Sequence, residues 1–184
     1  MKLTVPDLRS FRTRIRSWMQ GVRFDKNRLM KVTAEKLFFG NDLRNSLGFV
    51  FRKEDAIALG GYKPEEFPAS DYLFYLRFAL KYDLYWFHRT LASIGMDENE
   101  SMKMDTIERY MYQCADIRTT LAGVAVPASW MKMHPALTAY SMAHMEKVWG
   151  VKFDWTAVED RLGIKLPSPS LNKIRFFRLV NGGY

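Results

Sequence analysis

One stretch of this sequence restricts the fold more than any other. From Asp71 to Tyr82 the chain reads Asp-Tyr-Leu-Phe-Tyr-Leu-Arg-Phe-Ala-Leu-Lys-Tyr. Wound as a helix, this run is apolar on most of its sides (Tyr72, Leu73, Phe74, Tyr75, Leu76, Phe78, Ala79, Leu80), and such a helix has to sit among other elements. Ser70 can cap its start and Asp83 can end it. The 184-residue chain is long enough to surround it, since folding at this length hides about 70% of the unfolded surface. With 48% hydrophobic and 26% charged residues the composition is globular, not disordered, and fits one domain or one domain with an arm.

The neighbouring elements follow from pattern. Leu47–Phe51 is a short apolar run expected to form a buried strand. Arg52–Leu59 reads as a short helix with Ala56, Ile57 and Leu59 inward, stopped by Gly60-Gly61, either of which can take the left-handed conformation of a helix terminus. Tyr62–Pro68 is a loop with two prolines. Leu84–Phe87 reads as a strand and Thr90–Ile94 as a second one. Ser101 can cap a long helix to about Leu121, and further helices are expected at His134–Trp149 and Asp154–Leu162. After the breaker Leu166-Pro167-Ser168-Pro169-Ser170, Leu171, Ile174 and Phe177 share one helical face, with Lys173, Arg175 and Arg178 around it. That face suits core or partner packing, or membrane contact. The expected class is α+β: a short mixed sheet with a buried central helix, then a mostly helical C-terminal half.

Charge is distributed unevenly. Residues 1–31 hold nine bases (Lys2, Arg9, Arg12, Arg14, Arg16, Arg23, Lys26, Arg28, Lys31) against Asp7 and Asp25, which is +7 of the net +8. The rest of the chain is nearly neutral. Leu8, Phe11, Ile15 and Trp18 follow one helical face, and Arg9, Arg12, Arg14 and Arg16 spread over the remainder. This basic amphipathic segment can pack its stripe on the body or lie on an anionic membrane surface. Nucleic-acid binding ranks last, because the body is near neutral and carries no RNA-motif signature. The expected division is a basic helical segment at 1–31, a central region at 32–123 and a helical extension at 124–184.

Several chemistries find no support. The single Cys114 allows no internal disulfide and no Cys-based zinc site, and fits a reducing compartment. No secretory signal is apparent, and no stretch approaches the roughly 20 apolar residues of a spanning helix. No phosphate-binding glycine loop, no Asp-x-Asp and no serine nucleophile elbow occurs. His88, His134 and His144 form no zinc-helix pair. Asp71 is the residue with a chemical opening. At the start of a buried helix, the dipole and free N–H groups favour its ionised form. It can then be a simple helix cap, or a base that takes a proton from an attacking hydroxyl.

The ordered series Gly48-Phe49-Val50-Phe51-Arg52, Gly60-Gly61-Tyr62, Ser70-Asp71-Tyr72, Arg77, Leu84–Phe87, Leu91-Ala92 and Asp97-Glu98-Asn99-Glu100-Ser101 resembles the acceptor-side half of family 2 inverting glycosyltransferases of the GT-A fold. The resemblance covers about 70 residues, Val32 to Ser101. It implies a partial GT-A-like architecture, Asp71 as catalytic base, and Gly60, Gly61, Tyr62 and Ser70 shaping the acceptor side, with Arg77 anchoring the helix. Ser70 stands where the family has the first acid of an acidic pair, and Asp97 where it often has His; Asp97 could ligate a divalent cation (Mg or Mn) through oxygen. The family's nucleotide-binding half, which holds the nucleotide-sugar donor, has no counterpart before Gly48. The resemblance therefore implies the acceptor-binding part of an enzyme acting on a glycan or lipid-linked acceptor. An upstream nucleotide-binding subunit or a second copy would complete it, at the cytoplasmic face of a membrane. The competing expectation is a non-enzymatic module that binds an anionic membrane or protein through residues 1–31.

Overall fold

The computed structural model describes residues 29–41, 43, 48–87 and 103–180. The described chain is α+β and mostly helical. Strand β1 (Leu29–Val32) pairs antiparallel with β2 (Leu84–Phe87), with Leu29 opposite Phe87 and Val32 opposite Leu84. The sheet is thus antiparallel, not mixed, and has two strands among the described residues. β1 crosses the boundary expected between residues 31 and 32. Its partner lies far along the chain, so the strand exists through a non-local pairing that local pattern does not announce. Val32 and Leu84, the pair nearest the core, are both buried.

Between the strands lie α1 (Ala34–Phe39), α2 (Lys53–Ala58) and α3 (Ser70–Lys81). The run expected as a strand at Leu47–Phe51 is no strand over its described residues. Gly48 has φ +79°, and Phe49 turns its ring onto Phe74 (6.0 Å), Tyr75 (4.8 Å) and Phe78 (5.5 Å) instead of joining a ladder. In α2, Ala56 faces inward as expected, whereas Ile57 is 67% exposed. Helix α3 is the expected buried one, with Tyr72, Phe74, Tyr75, Leu76 and Phe78 inside and Leu80 reaching solvent. Ser70 is its first helical residue, not its cap: Ala69 holds the cap position with no side-chain hydrogen bond.

The second half is helical. It comprises α4 (Met104–Leu121), a 3-10 turn (Ala128–Met133), α5 (His134–Trp149), α6 (Trp155–Leu162) and α7 (Leu171–Val180). Lys103, not Ser101, occupies the cap position of α4. Asp154 caps α6 by accepting from the Ala157 N–H at 3.0 Å. The main core draws on both sides of residue 123, joining Leu37, Phe38, Tyr72 and Leu121 to Trp130, Leu137 and Phe177. Phe38 and Trp130 meet edge to face at 5.5 Å, and Trp130 meets Phe177 at 5.7 Å. A second cluster of Ile107, Met111, Met142, Phe153 and Val158 packs α6 onto α4 and α5. Thr90–Ile94, His88 and Ser101 lie outside the described residues.

Candidate functional site

The site is assembled on α3 and the turn before it. Helix α2 ends where Gly60 (φ +81°) and Gly61 (φ +60°) enter the left-handed region, which a β-carbon would strain. The Gly61 N–H closes the helix end on the Ala56 carbonyl at 2.9 Å. Tyr62 follows and lays its ring on Phe74 at 4.4 Å, with 45% of the residue still exposed. Arg77 then fastens the turn to α3. Its Nη2 donates to the Gly61 carbonyl at 2.6 Å and to Glu66 at 3.0 Å, while Nη1 pairs with the other oxygen of Glu66 at 2.5 Å. Arg77 thus anchors the turn to α3. From the other side, Gln113 of α4 accepts from the Ala69 N–H at 3.0 Å and donates to the Glu66 carbonyl at 3.1 Å. The loop that leads into α3 is therefore held at both of its flanks.

Asp71 sits in the first turn of α3, half-buried. Its Oδ1 accepts from the Tyr72 N–H at 2.8 Å. Among the described residues no cation pairs with it. Burial raises the pKa of its carboxyl above the ordinary range, and the backbone N–H bonds oppose that rise without cancelling it. The helix start thus favours the ionised form less than its position alone suggests: desolvation outweighs the local N–H groups. Tyr75, one turn further on, has its phenol pushed far up by burial first, then by the Asp71 charge and by Tyr62. Tyr110 and Cys114 of α4 are raised chiefly by burial and also feel Asp71.

The structure therefore brings together Asp71, Tyr75 and the Gly60-Gly61-Tyr62 turn, with α4 contributing Tyr110 and Cys114 behind. Ser70 is half-buried beside Asp71. Tyr75 was not singled out in the sequence, although its spacing of four from Asp71 puts both on one helical face. Tyr110 and Cys114 carry no such signal, because their approach depends on how α4 packs. Asp97 and Arg9, Arg12, Arg14 and Arg16 lie outside the described residues. Among the described residues no group of three or more His, Cys, Asp or Glu side chains is placed to hold a metal ion. Nor, among them, is any helix long and apolar enough to cross a membrane.

Chemically, the arrangement is a partly desolvated carboxylate without a cationic partner among the described residues, carried on a helix that is tied to an aromatic turn. Such a carboxylate can accept a proton, and an exposed ring such as Tyr62 offers an apolar face to a ligand. Compared with known proteins, the chain matches no family model, no curated protein and no solved structure.

Proposed function

We propose that this chain is the acceptor-binding and catalytic-base portion of an inverting glycosyltransferase with a partial GT-A-like architecture. Asp71 is the base. An acceptor hydroxyl gives its proton to the Asp71 carboxylate as its oxygen bonds to the anomeric carbon of the donor sugar. The bond from that carbon to the nucleoside diphosphate breaks on the opposite face, and the diphosphate leaves with the electron pair. Tyr62 offers the acceptor an aromatic face, and Gly60 and Gly61 let backbone approach it closely. Arg77 positions the turn and touches no substrate.

The observation that carries this reading is the half-buried Asp71 carboxylate, whose pKa burial has raised and which no described cation neutralises. A base works best when its pKa approaches the working pH, and burial moves Asp71 in that direction. The nucleotide-sugar donor and a Mg or Mn ion would be held by a nucleotide-binding subunit or a further part of the protein. The acceptor is a glycan or a lipid-linked glycan presented at a cytoplasmic membrane face.

The test is sugar transfer by the chain together with its nucleotide-binding partner, comparing wild type with Asp71→Asn. General-base removal lowers turnover about 10²- to 10⁴-fold. The variant's circular dichroism and melting temperature are read alongside, so that unfolding is separated from lost chemistry. Near-normal turnover by Asp71→Asn overturns the assignment.

A further inference from the structure

Helix α4 carries a polar stripe. Asp105, Glu108, Tyr112 and Asp116 follow one another at intervals of three or four residues, which keeps them on one helical face. Asp105 and Asp116 are exposed, and Glu108 and Tyr112 are half-buried. None of the three carboxylates forms an ion pair among the described residues. Arg161 comes across from α6 and lays its guanidinium over the Tyr112 ring, 3.8 Å from the centroid. It too pairs with no carboxylate among the described residues. Between these side chains lies an open groove of about 430 Å³, lined also by Arg109 and Gln113. Those two are tied to the loop before α3: Arg109 donates to the Glu65 carbonyl at 3.4 Å, and Gln113 bonds to Glu66 and Ala69. Stacking therefore fixes one end of the groove and the loop fixes its flank.

We propose that this groove binds a short neutral saccharide. Its volume falls in the range of small-molecule sites, roughly 300–1,000 Å³. Its lining is unlike that of an apolar site, because every lining side chain is charged or carries a hydrogen-bonding group. A small ion fits no better: an anion would face three carboxylates and a cation two guanidinium groups. A polyhydroxyl compound without charge meets neither conflict. Each of its hydroxyls can donate to a carboxylate and accept from a guanidinium at the same time. Asp105, Glu108 and Asp116 accept along the helix, and Arg161, held against Tyr112, donates from the other side. Carboxylate and guanidinium both offer two adjacent bonding positions, which suits neighbouring hydroxyls on a sugar ring. The groove is open, so much of the ligand stays in water and the binding is weak. The proposal stands on the groove's own lining and is independent of the base role of Asp71.

The test is a nuclear magnetic resonance titration of the isotope-labelled full chain with neutral disaccharides of glucose, galactose, mannose and N-acetylglucosamine. At least one is expected to shift the α4 amides around Tyr112 and the side-chain signal of Arg161, saturating as its concentration rises. Because the ligand is uncharged, the affinity should barely change with salt. Asp116→Ala and Arg161→Ala are each expected to weaken it about tenfold or more, since each loses a hydrogen bond to a charged group. Asp116 is exposed and its carboxylate holds no other side chain among the described residues, so Asp116→Ala should keep the wild-type melting temperature and separates lost binding from lost packing. Silence of every disaccharide at these signals overturns the proposal, as does wild-type affinity in both variants. Inorganic phosphate or putrescine binding at these residues in preference to every disaccharide makes the groove an ion site and also overturns it. Binding is the readout, so a negative result leaves the assignment of Asp71 standing, and an Asp71→Asn variant with normal turnover leaves the groove standing.

Discussion

Arg77 holds Glu66 through a two-pronged, largely buried ion pair, and the same guanidinium reaches the carbonyl of Gly61. One side chain on α3 thereby sets the position of the Gly60-Gly61-Tyr62 turn relative to Asp71. Arg77→Ala leaves the Glu66 carboxylate without its partner and is expected to destabilise the fold by about 2–3 kcal/mol. That corresponds to a fall in melting temperature of roughly 4–12 °C in a protein of this size, read by calorimetry. Arg77→Lys keeps the charge but loses the fork, and should fall between wild type and Arg77→Ala. Hydrogen exchange at Gly61 and Tyr62 should quicken in both variants. Unchanged exchange there would mean that the turn is held by something other than Arg77.

Asp71 supplies a second prediction, in which stability and activity move in opposite directions. Its carboxyl pKa is raised in the folded chain, with burial the main cause. A carboxyl raised on folding contributes stability at low pH, and that contribution is lost as pH climbs through the folded pKa. At neutral pH the ionised group therefore works against folding. Asp71→Asn keeps an oxygen to accept the Tyr72 N–H and removes the charge. Its melting temperature at pH 7 should equal or exceed that of wild type, and the gap should close as pH is lowered and the wild-type carboxyl takes up its proton. A variant less stable than wild type at pH 7 would show that the charge is compensated inside the fold.

The elements legible in the sequence were those whose signal is local. Helix α3 was marked by its dense apolar run, α7 by the spacing of Leu171, Ile174 and Phe177, and β2 by its compact aromatic run. What escaped was non-local. Leu29–Val32 becomes a strand only because Leu84–Phe87 lies beside it, and Phe49 is drawn out of a strand by the rings of Phe74, Tyr75 and Phe78. The site divides in the same way. Asp71 and the Gly60-Gly61-Tyr62 turn were singled out through the family resemblance; on spacing alone Asp71 reads equally as a helix cap. The grip of Arg77 on Glu66 and the approach of Cys114 and Tyr110 required the packing of α4 and the loop.

Cys114 is buried, and its thiol is pushed up to about 11, with burial the largest cause and the neighbouring Arg118 opposing it. The reactive species of a cysteine is the thiolate, which is scarce at neutral pH under these conditions. The native chain should therefore resist alkylation by iodoacetamide at pH 7.5 and react promptly once unfolded in guanidinium. Mass spectrometry of the labelled chain reads the outcome directly. Fast native labelling would mean that α4 opens or that the thiol reaches solvent.

His134 begins α5 almost fully buried, and its pKa is lowered to about 4 by burial first and then by the Arg118 guanidinium. Arg118 is itself 2% exposed, and its Nη1 donates to Thr138 at 3.1 Å. The unfolded chain protonates this histidine near pH 6.5, whereas the folded chain holds it neutral until about 4. Between those values the unfolded state binds more protons, so stability falls as pH falls. Above about 6.5 both states are neutral and the group contributes no slope; below about 4 both are charged and the loss levels off. Over the whole window the loss is on the order of 3 kcal/mol, from about 1.4 kcal/mol per unit. Denaturant titrations at intervals from pH 7.5 to 4 should show this decline in the wild type. In His134→Gln, which cannot be protonated, the decline should be reduced by that amount. A wild-type curve and a His134→Gln curve that run parallel across the window would show that the imidazole takes up its proton inside the fold, and that the Arg118 neighbourhood tolerates a second positive charge.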